Sequence, residues 1–209
     1  MAGYRTSVGV LSREQFDAIE FDAVRSGDHA SAAELMSRLA ATDQESAGMP
    51  RAEAFLRAGE QYLLADDPAA AVSGFRRAMM DGGPVFADPR VPLARALFQL
   101  GRHPEAQALI TRLRTEAPRD PRVCDLVAEL LVERGDLQGA LWWATTGVEL
   151  GLGRAGEGQE AGGQNGAGAP PPPDGEDAAE LRLLLSLRYR IRNDLGLPDD
   201  EYDQLLDEK

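Results

Sequence analysis

Hydrophobic residues recur at spacings of three and four along four pairs of segments, and a short polar break divides each pair. The breaks lie at Gly27 and Asp28, at residues 66–68, at residues 101–104, and at Gly135 and Asp136. Spacings of three and four place apolar side chains on one face of an α-helix. Gly, Asp and Pro are the residues that end one helix and begin the next. The pattern therefore predicts four consecutive helical hairpins.

The breaks recur at a nearly constant distance along the chain. The intervals are 39 residues (27 to 66), 35 residues (66 to 101) and 34 residues (101 to 135). A repeat length in this range is typical of stacked helical hairpins, in which each hairpin buries its apolar face against its neighbours. We therefore expect one repeat domain over residues 12–150, preceded by a flexible N-terminus over residues 1–11.

The composition changes after residue 150. Residues 151–177 are rich in Gly and Pro and contain few apolar side chains, so we predict a disordered linker there. Residues 178–209 regain a helical pattern, and a short acidic helix is predicted over residues 199–206. The apolar face of the longer helix consists of Leu181, Leu184, Leu187, Ile191 and Leu195. We expect this amphipathic helix to cap the exposed end of the repeats.

The second hairpin resembles a tetratricopeptide repeat. Phe55, Gly59 and Tyr62 match the aromatic, small and tyrosine positions of the first helix, and Ala71 and Phe75 match the second helix. The resemblance implies an all-α fold, an α-α superhelix of about four hairpins with a C-terminal capping helix after the linker. It covers about two thirds of the chain.

Small residues recur at one register inside the apolar pattern, as at Gly59, Ala94 and Ala128. A glycine within a helix costs about 0.5–1 kcal/mol relative to alanine. We expect this cost to be offset by closer packing, because a larger side chain at the crossing of two helices would hold the backbones apart.

The chain is acidic, with a formal net charge of −13 at neutral pH. Such a charge repels phosphate backbones and anionic lipid headgroups, so direct binding to nucleic acid or to a membrane is not expected. The single cysteine, Cys124, cannot form an intramolecular disulfide. No apolar segment reaches the roughly 18 residues that span a bilayer, and no signal peptide is evident. The interpretation is a cytoplasmic protein.

The residues that could carry chemistry favour structural roles. His29 and His103 each follow a break glycine by two positions, in separate repeats, whereas a catalytic or metal site needs side chains that converge. Cys124 lies where the repeat buries a large side chain, which predicts an inert thiol. No phosphate-binding glycine motif or metal-ligand spacing is present. We predict no catalytic, cofactor-binding or metal-binding residues, no cofactor and no enzyme activity.

The resemblance also implies a function, since tetratricopeptide repeats bind peptides or helices of partner proteins in a concave groove. The residues at groove positions are acidic with apolar spots, which favours a basic or amphipathic partner segment. The predicted groove contacts are Asp17, Phe21, Leu56, Glu60, Arg95, Phe98, Glu129 and Glu133.

Other interpretations stay open at this stage. One alternative is a regulatory module, for example one linked to transcription, or a small-molecule-sensing module that uses the interface between the repeats and the C-terminal helix. Trp142 and Trp143 are adjacent and point about 100° apart on a helix, so only one is expected inside. Its place in the repeat predicts that this is Trp143, and Trp142 could then be covered by the C-terminal helix or exposed. The oligomeric state and the identity of the partner do not follow from the sequence.

Overall fold

A computed structural model of the chain describes residues 13–41, 49–117, 119–160 and 175–206, without the side chains of residues 154–160 and 176. Every regular element within these ranges is an α-helix, as the sequence pattern predicts. The helices are α1 (Arg13–Ser26), α2 (His29–Ala41), α3 (Arg51–Leu64), α4 (Pro68–Asp81), α5 (Arg90–Gln99), α6 (His103–Thr115), α7 (Pro121–Glu133), α8 (Leu137–Glu160), α9 (Glu176–Asp194) and α10 (Glu201–Gln204). The predicted flexible segment, residues 1–11, lies outside the described residues.

The four predicted breaks are confirmed by the backbone. Gly27, Gly101 and Gly135 have φ angles of 77°, 72° and 76°, and Asp66 has a φ angle of 58°. This left-handed conformation stops a helix, and glycine adopts it without steric cost, whereas aspartate tolerates it better than most residues. Each first helix of a hairpin therefore ends at the residue that the sequence pattern indicates.

Aspartates that follow three of these breaks begin the second helices. The carboxylates of Asp28, Asp67 and Asp136 accept hydrogen bonds from backbone N–H groups three residues later, at 3.1, 2.9 and 2.9 Å. These N–H groups have no partner within the helix, so the side chains stabilise the first turn. A left-handed residue followed by a capping aspartate is the local signal at three of the four hairpins.

Contacts divide the chain into two compact units, Met1–Ile110 and Thr111–Lys209, and α6 contains the point of division. In the first unit, consecutive helices from α1 to α5 pack against each other. The core of this unit contains five large side chains that are almost completely buried, Phe16, Met36, Leu56, Phe75 and Leu97.

The closest helix crossing in the first unit joins α3 and α4 at two glycines. A Cβ atom added to Gly59 would lie 2.5 Å from the ring of Phe75, and one added to Gly74 would lie 3.1 Å from the backbone of Gly59. Both distances are shorter than ordinary van der Waals contact. The sequence predicts the role of Gly59, and the structure adds Gly74 as its partner on the facing helix.

The second unit is built around α7, α8 and α9. Helix α9 packs against both α7 and α8, so it covers the face that the next hairpin of a repeat array would cover. Gly147 on α8 makes this packing possible, because a Cβ atom there would lie 2.8 Å from Leu184 of α9 and 2.9 Å from Cys124 of α7. The capping position predicted for the C-terminal helix is therefore seen in the fold.

Helix α8 continues through Glu160, so it extends into the segment that the sequence assigns to the linker. The first residues of this extension lie against α9. A Cβ atom added to Gly151 would lie 3.1 Å from the side chain of Leu181, and Leu152 packs against the apolar cluster that α8 and α9 share. The bounds of the linker stay a prediction of the sequence. Residues 161–174 lie outside the described residues.

Candidate functional site

Arg57 on α3 joins carboxylates from two helices of the first unit. Its Nη1 atom lies 2.6 Å from Oδ1 of Asp17 and 3.2 Å from Oε2 of Glu20, both on α1. Its Nε atom lies 3.1 Å from Oε1 of Glu53, one turn earlier on α3. The side chain of Arg57 is only 15% exposed. One guanidinium group is therefore shared by three carboxylates.

Glu53 is the buried member of this group, with 3% of its surface exposed. One of its oxygens accepts the hydrogen bond from Arg57, and the other accepts the backbone N–H of Phe86 at 2.7 Å. A buried carboxylate is tolerated when its oxygens are paired in this way. Glu53 thus fixes the loop after α4 to the ionic group on α3.

Glu60 follows Arg57 by three residues on α3, and it adds a fourth carboxylate. Surrounding protein atoms and then the negative charges of Glu20 and Glu53 raise the pKa of Glu60 to about 7, although Arg57 acts to lower it. Burial is also the main cause that raises the pKa of Glu20. We call Asp17, Glu20, Glu53, Arg57 and Glu60 the Arg57 cluster. It contains four carboxyl groups for one guanidinium group.

Exposed apolar side chains adjoin the Arg57 cluster. Phe21 and Val24 on α1 are 69% and 70% exposed, and Phe21 directly follows Glu20. The side chain of Phe86 is 70% exposed, while its backbone N–H is held by Glu53. These three side chains leave apolar surface exposed on α1, which supplies two carboxylates of the Arg57 cluster, and on the loop that Glu53 holds.

The structure brings three of the predicted groove contacts to this face of the first unit. Asp17 contacts Arg57, Phe21 is exposed beside Glu20, and the side chain of Glu60 also reaches solvent. Leu56 is a correction to the predicted groove contacts. It is only 1% exposed, because its helix position faces the core, so its side chain does not line a surface.

The other two predicted contacts of the first unit lie on α5 and are half-buried. These residues are Arg95 and Phe98. The ring of Phe98 contacts the ring of His103, with 5.7 Å between their centroids.

Glu129 and Glu133 belong to the second unit, where both are exposed on α7. Glu129 lies one turn after Asp125. Burial, followed by the charges of Glu129 and Glu180, raises the pKa of Asp125 to about 6. The second unit therefore has an acidic group of its own, built from α7 and α9.

The predicted contacts do not include Arg57, Glu20 or Phe86. The spacing of Glu53 and Arg57, four residues apart on a helix, does indicate an ion pair. The approach of Glu20 and of Phe86 depends on how α1 and the loop after α4 pack on α3, and no local pattern contains that information.

The histidines and the cysteine make structural contacts. Nδ1 of His29 is hydrogen-bonded to Oε1 of the buried Gln61 at 2.8 Å, which joins α2 to α3. Burial, followed by the charges of Asp120 and Asp125, raises the pKa of Cys124 to about 12, so the thiol is not activated. In the described ranges, no three His, Cys, Asp or Glu side chains are grouped so that they could hold a metal ion.

Trp142 on α8 is half-buried and lies against a cation. The guanidinium carbon of Arg114 is 4.0 Å from the centroid of the Trp142 ring, within the range of a cation–π contact. Trp143 is 2% exposed and meets Trp142 edge to face, with 5.1 Å between ring centroids. The burial of Trp143 agrees with its predicted inward position. The guanidinium group of Arg114 lies over the ring of Trp142.

Comparison with family models finds that residues 62–130 match a tetratricopeptide repeat model. Comparison with curated proteins and with solved structures gave no match. The match and the all-helical architecture agree with the resemblance seen in the sequence, and the described chain has a tetratricopeptide-like repeat fold. Tetratricopeptide repeats generally mediate protein–protein interactions, and they are typically non-catalytic scaffolds. No helix in the described parts of the chain combines the length and apolar character needed to cross a membrane.

Proposed function

We propose that this chain is a non-catalytic adaptor, and that the Arg57 cluster of its first unit binds a basic, amphipathic segment of a partner protein. The observation that carries the proposal is the environment of Glu60. This carboxylate reaches solvent, but it lies near Glu20 and Glu53, and Arg57 is already shared by three other carboxylates. The surface thus has more negative charge than its own cation neutralises.

A lysine or arginine from a partner would relieve this imbalance. A cation beside Glu60 replaces repulsion between carboxylates with a charge-assisted hydrogen bond, which is stronger than a neutral one. An acidic partner would add to the repulsion and would be rejected. Charge at this position therefore gives specificity for a basic segment as well as affinity.

Apolar contact would supply the rest of the binding energy. Phe21 and Val24 expose most of their surface on α1, and Phe86 does so in the loop after α4. Aromatic side chains are enriched among the residues that dominate binding at interfaces. A partner segment with a cation and an apolar side chain on one helical face or along one strand would match both features of this surface.

The remaining predicted contacts are proposed to have a secondary role. Arg95 and Phe98 in the first unit are proposed to contact a further part of the same segment, and Glu129 and Glu133 are proposed to contact a partner protein through the second unit alone. Their contribution is expected to be smaller, because they are half-buried or belong to a separate exposed acidic group. A cytoplasmic location stays a prediction of the sequence.

The alternative, a pocket for a small regulatory molecule at the C-terminal helix, gains no support from the described residues. Where α9 meets α7 and α8, there is no room for a Cβ atom at Gly147, which would lie 2.8 Å from Leu184 and 2.9 Å from Cys124, and Val148 packs with leucines of α9. A ligand site needs a cavity with converging polar groups. The contacts around Gly147 and Val148 are close and apolar.

A selection of displayed peptides against the full chain tests the proposed function. We expect the enriched peptides to contain lysine or arginine together with aromatic or leucine residues. The variant Glu60→Lys should bind them about tenfold more weakly or worse, which is a loss of about 1.4 kcal/mol. Fluorescence anisotropy with a labelled copy of one enriched peptide measures the change.

The matched control is Glu34→Lys, which makes the same charge change at an exposed position on α2. It should leave the affinity within about twofold, because charges away from an interface are screened over about 10 Å. Enrichment of acidic peptides, or equal losses in the two variants, would show that the Arg57 cluster does not bind the partner segment.

A further inference from the structure

The C-terminal tail of the second unit, residues 197–206, is an acidic segment held by two arginines of α9. The side chain of Arg188 on α9 is only 4% exposed. Its Nη1 atom donates hydrogen bonds to Oδ1 of Asp200 and of Asp203, at 2.9 and 3.1 Å. Arg188 Nη2 donates to the other oxygen of Asp200. The guanidinium group is thus bound on two sides by carboxylates of the tail.

The Arg188 guanidinium group has further partners on α8 and in the tail. Its Nε atom donates to Oγ1 of Thr145 on α8 at 3.1 Å, and the guanidinium carbon lies 4.6 Å from the centroid of the Tyr202 ring. Arg192, one turn later on α9, lies 2.8 Å from Oδ2 of Asp200 and 3.1 Å from Oδ2 of Asp203. The hydrogen bond from Arg188 is the main reason that the pKa of Asp200 falls to about 2.

Apolar contacts accompany the ionic ones. Val148 of α8 and three leucines of α9 form a buried cluster. The tail side chains that pack against this cluster are Tyr202, Leu205 and Leu206. The tail therefore presents an aromatic residue, two leucines and two carboxylates to one surface of α8 and α9, which we call the Arg188 surface.

The tail does not have the properties of an independently stable element. Helix α10 has four residues, and isolated helices shorter than about 12 residues are marginal in water. Its first turn is closed by a capping box formed by Asp200 and Asp203, the same two residues that bind the arginines. Gly196, with a φ angle of 67°, separates the tail from α9. The order of the tail thus depends on its contacts with the Arg188 surface.

We propose that the Arg188 surface is a docking site for a short acidic helix of a partner protein, and that the chain's own tail occupies this site until the partner displaces it. The partner segment carries two carboxylates three residues apart to bind Arg188 and Arg192, with an aromatic residue between them and leucines just after them. This site takes an acidic segment, whereas the Arg57 cluster takes a basic one, so the two proposals are independent.

Displacement can be measured with the full chain and a fluorescent peptide of the sequence LPDDEYDQLLDEK, which is residues 197–209. The wild-type chain should bind the peptide weakly, because a tethered tail competes at an effective concentration of about 1 mM. The variant Tyr202→Ala/Asp203→Asn loosens the tail, and we expect it to bind the peptide about tenfold more tightly than the wild type. Raising the salt from about 0.05 to 0.5 M should weaken this binding.

Two matched controls define the specificity. Glu201→Gln removes an exposed carboxylate of the same tail but keeps both residues that bind the arginines, so it should behave as the wild type. A peptide with lysine at the position of Asp203 should not bind the double variant. If the folded double variant binds the peptide no more tightly than the wild type, or binds both peptides equally, the docking site is refuted.

Hydrogen exchange of the wild-type chain gives a second test that needs no destabilised variant. Amides of residues 202–206 should exchange at least about tenfold faster than the central amides of α9, since the tail opens without unfolding the unit. An excess of the unlabelled peptide should accelerate their exchange further, because it holds the site while the tail is free. Equal protection of tail and α9, with no effect of the peptide, would overturn the proposal.

Discussion

Glu60 and Arg57 show how single side chains determine the properties of the candidate binding surface. Arg57 is shared by Asp17, Glu20 and Glu53, so its positive charge is already engaged. Glu60 is added to this group, and its pKa of about 7 places its titration near neutral pH. The folded chain is less stable when the Glu60 carboxylate is ionised. A cation that binds beside this carboxylate would offset the loss.

The variant Glu60→Gln tests this description through the pH dependence of stability. The pKa of Glu60 is about 7 in the folded chain and near its ordinary value of 4.5 in the unfolded one, so the folded state holds more protons between these values. Stability must then fall as the pH rises from 4.5 to 7. We expect the variant to be more stable than the wild type at pH 8, on the order of 1 kcal/mol after allowance for solvent screening.

The measurement is urea-induced unfolding of both chains at pH 5 and at pH 8. The difference in the free energy of unfolding should be larger at pH 8, since Glu60 is mostly protonated at pH 5. Glu34→Gln, at an exposed position on α2, is the control and should show no such pH dependence. A stabilisation that is the same at both pH values would contradict the predicted titration of Glu60.

The sequence predicts part of this residue-scale picture. The resemblance to tetratricopeptide repeats implies Asp17, Phe21 and Glu60 as groove contacts, and all three are exposed on α1 and α3. The same resemblance implies Leu56, which is buried, because a repeat pattern does not show how far a neighbouring element covers a helix. The shared role of Arg57 depends on the approach of α1 and could not be read from α3 alone.

Helix crossings determine the structure at the scale of elements. Gly59 and Gly74 let α3 and α4 approach until the ring of Phe75 lies over one glycine and backbone lies over the other. Gly147 has the same role where α7, α8 and α9 meet. The cost of each helical glycine is offset by the contacts that a closer approach allows.

Gly59→Ala should therefore destabilise the chain although alanine is the better helix former. The new Cβ atom would lie 2.5 Å from the buried Phe75 ring, and overpacking of this kind typically costs about 1–3 kcal/mol. Thermal unfolding measures the change. Gly153→Ala on α8 is the matched control, because nothing lies within 4 Å of its added Cβ atom, and it should stabilise the chain by about 0.5–1 kcal/mol.

A second substitution checks the cause. If the clash with the Phe75 ring is responsible, Phe75→Leu should cost less in the Gly59→Ala background than in the wild type, since the smaller side chain leaves room for the new methyl group. Additive effects of the two substitutions would show that Gly59 is not required for the approach of Phe75.

The sequence predicts which helices form better than it predicts where each helix ends. The residues at positions 27, 66, 101 and 135 mark the helix ends because left-handed backbone and aspartate caps are local features. The continuation of α8 past residue 150 has no local signal of this kind. Its first two residues, Gly151 and Leu152, lie against α9, which follows in the chain only after a segment of low apolar content.

At the scale of the whole molecule, the net charge of −13 conceals two surfaces of different charge. The Arg57 cluster of the first unit has an excess of carboxylates, and the Arg188 surface of the second unit holds the chain's own acidic tail. Composition indicates only the first of these surfaces, because the arginines of α9 are few among many acidic residues. A fold of repeated hairpins can carry separate binding surfaces in this way, since each is formed by a few neighbouring helices.

A charge exchange across the proposed interface tests the central claim most directly. The labelled peptide selected on the wild-type chain is prepared again with its key lysine or arginine changed to glutamate, and both peptides are titrated against the wild type and Glu60→Lys by fluorescence anisotropy. Each single change should weaken binding by about tenfold, and the two changes together should restore the affinity to within about threefold of the original. Affinity that stays low in the exchanged pair, for every cation of the peptide, would contradict binding of a basic segment at the Arg57 cluster.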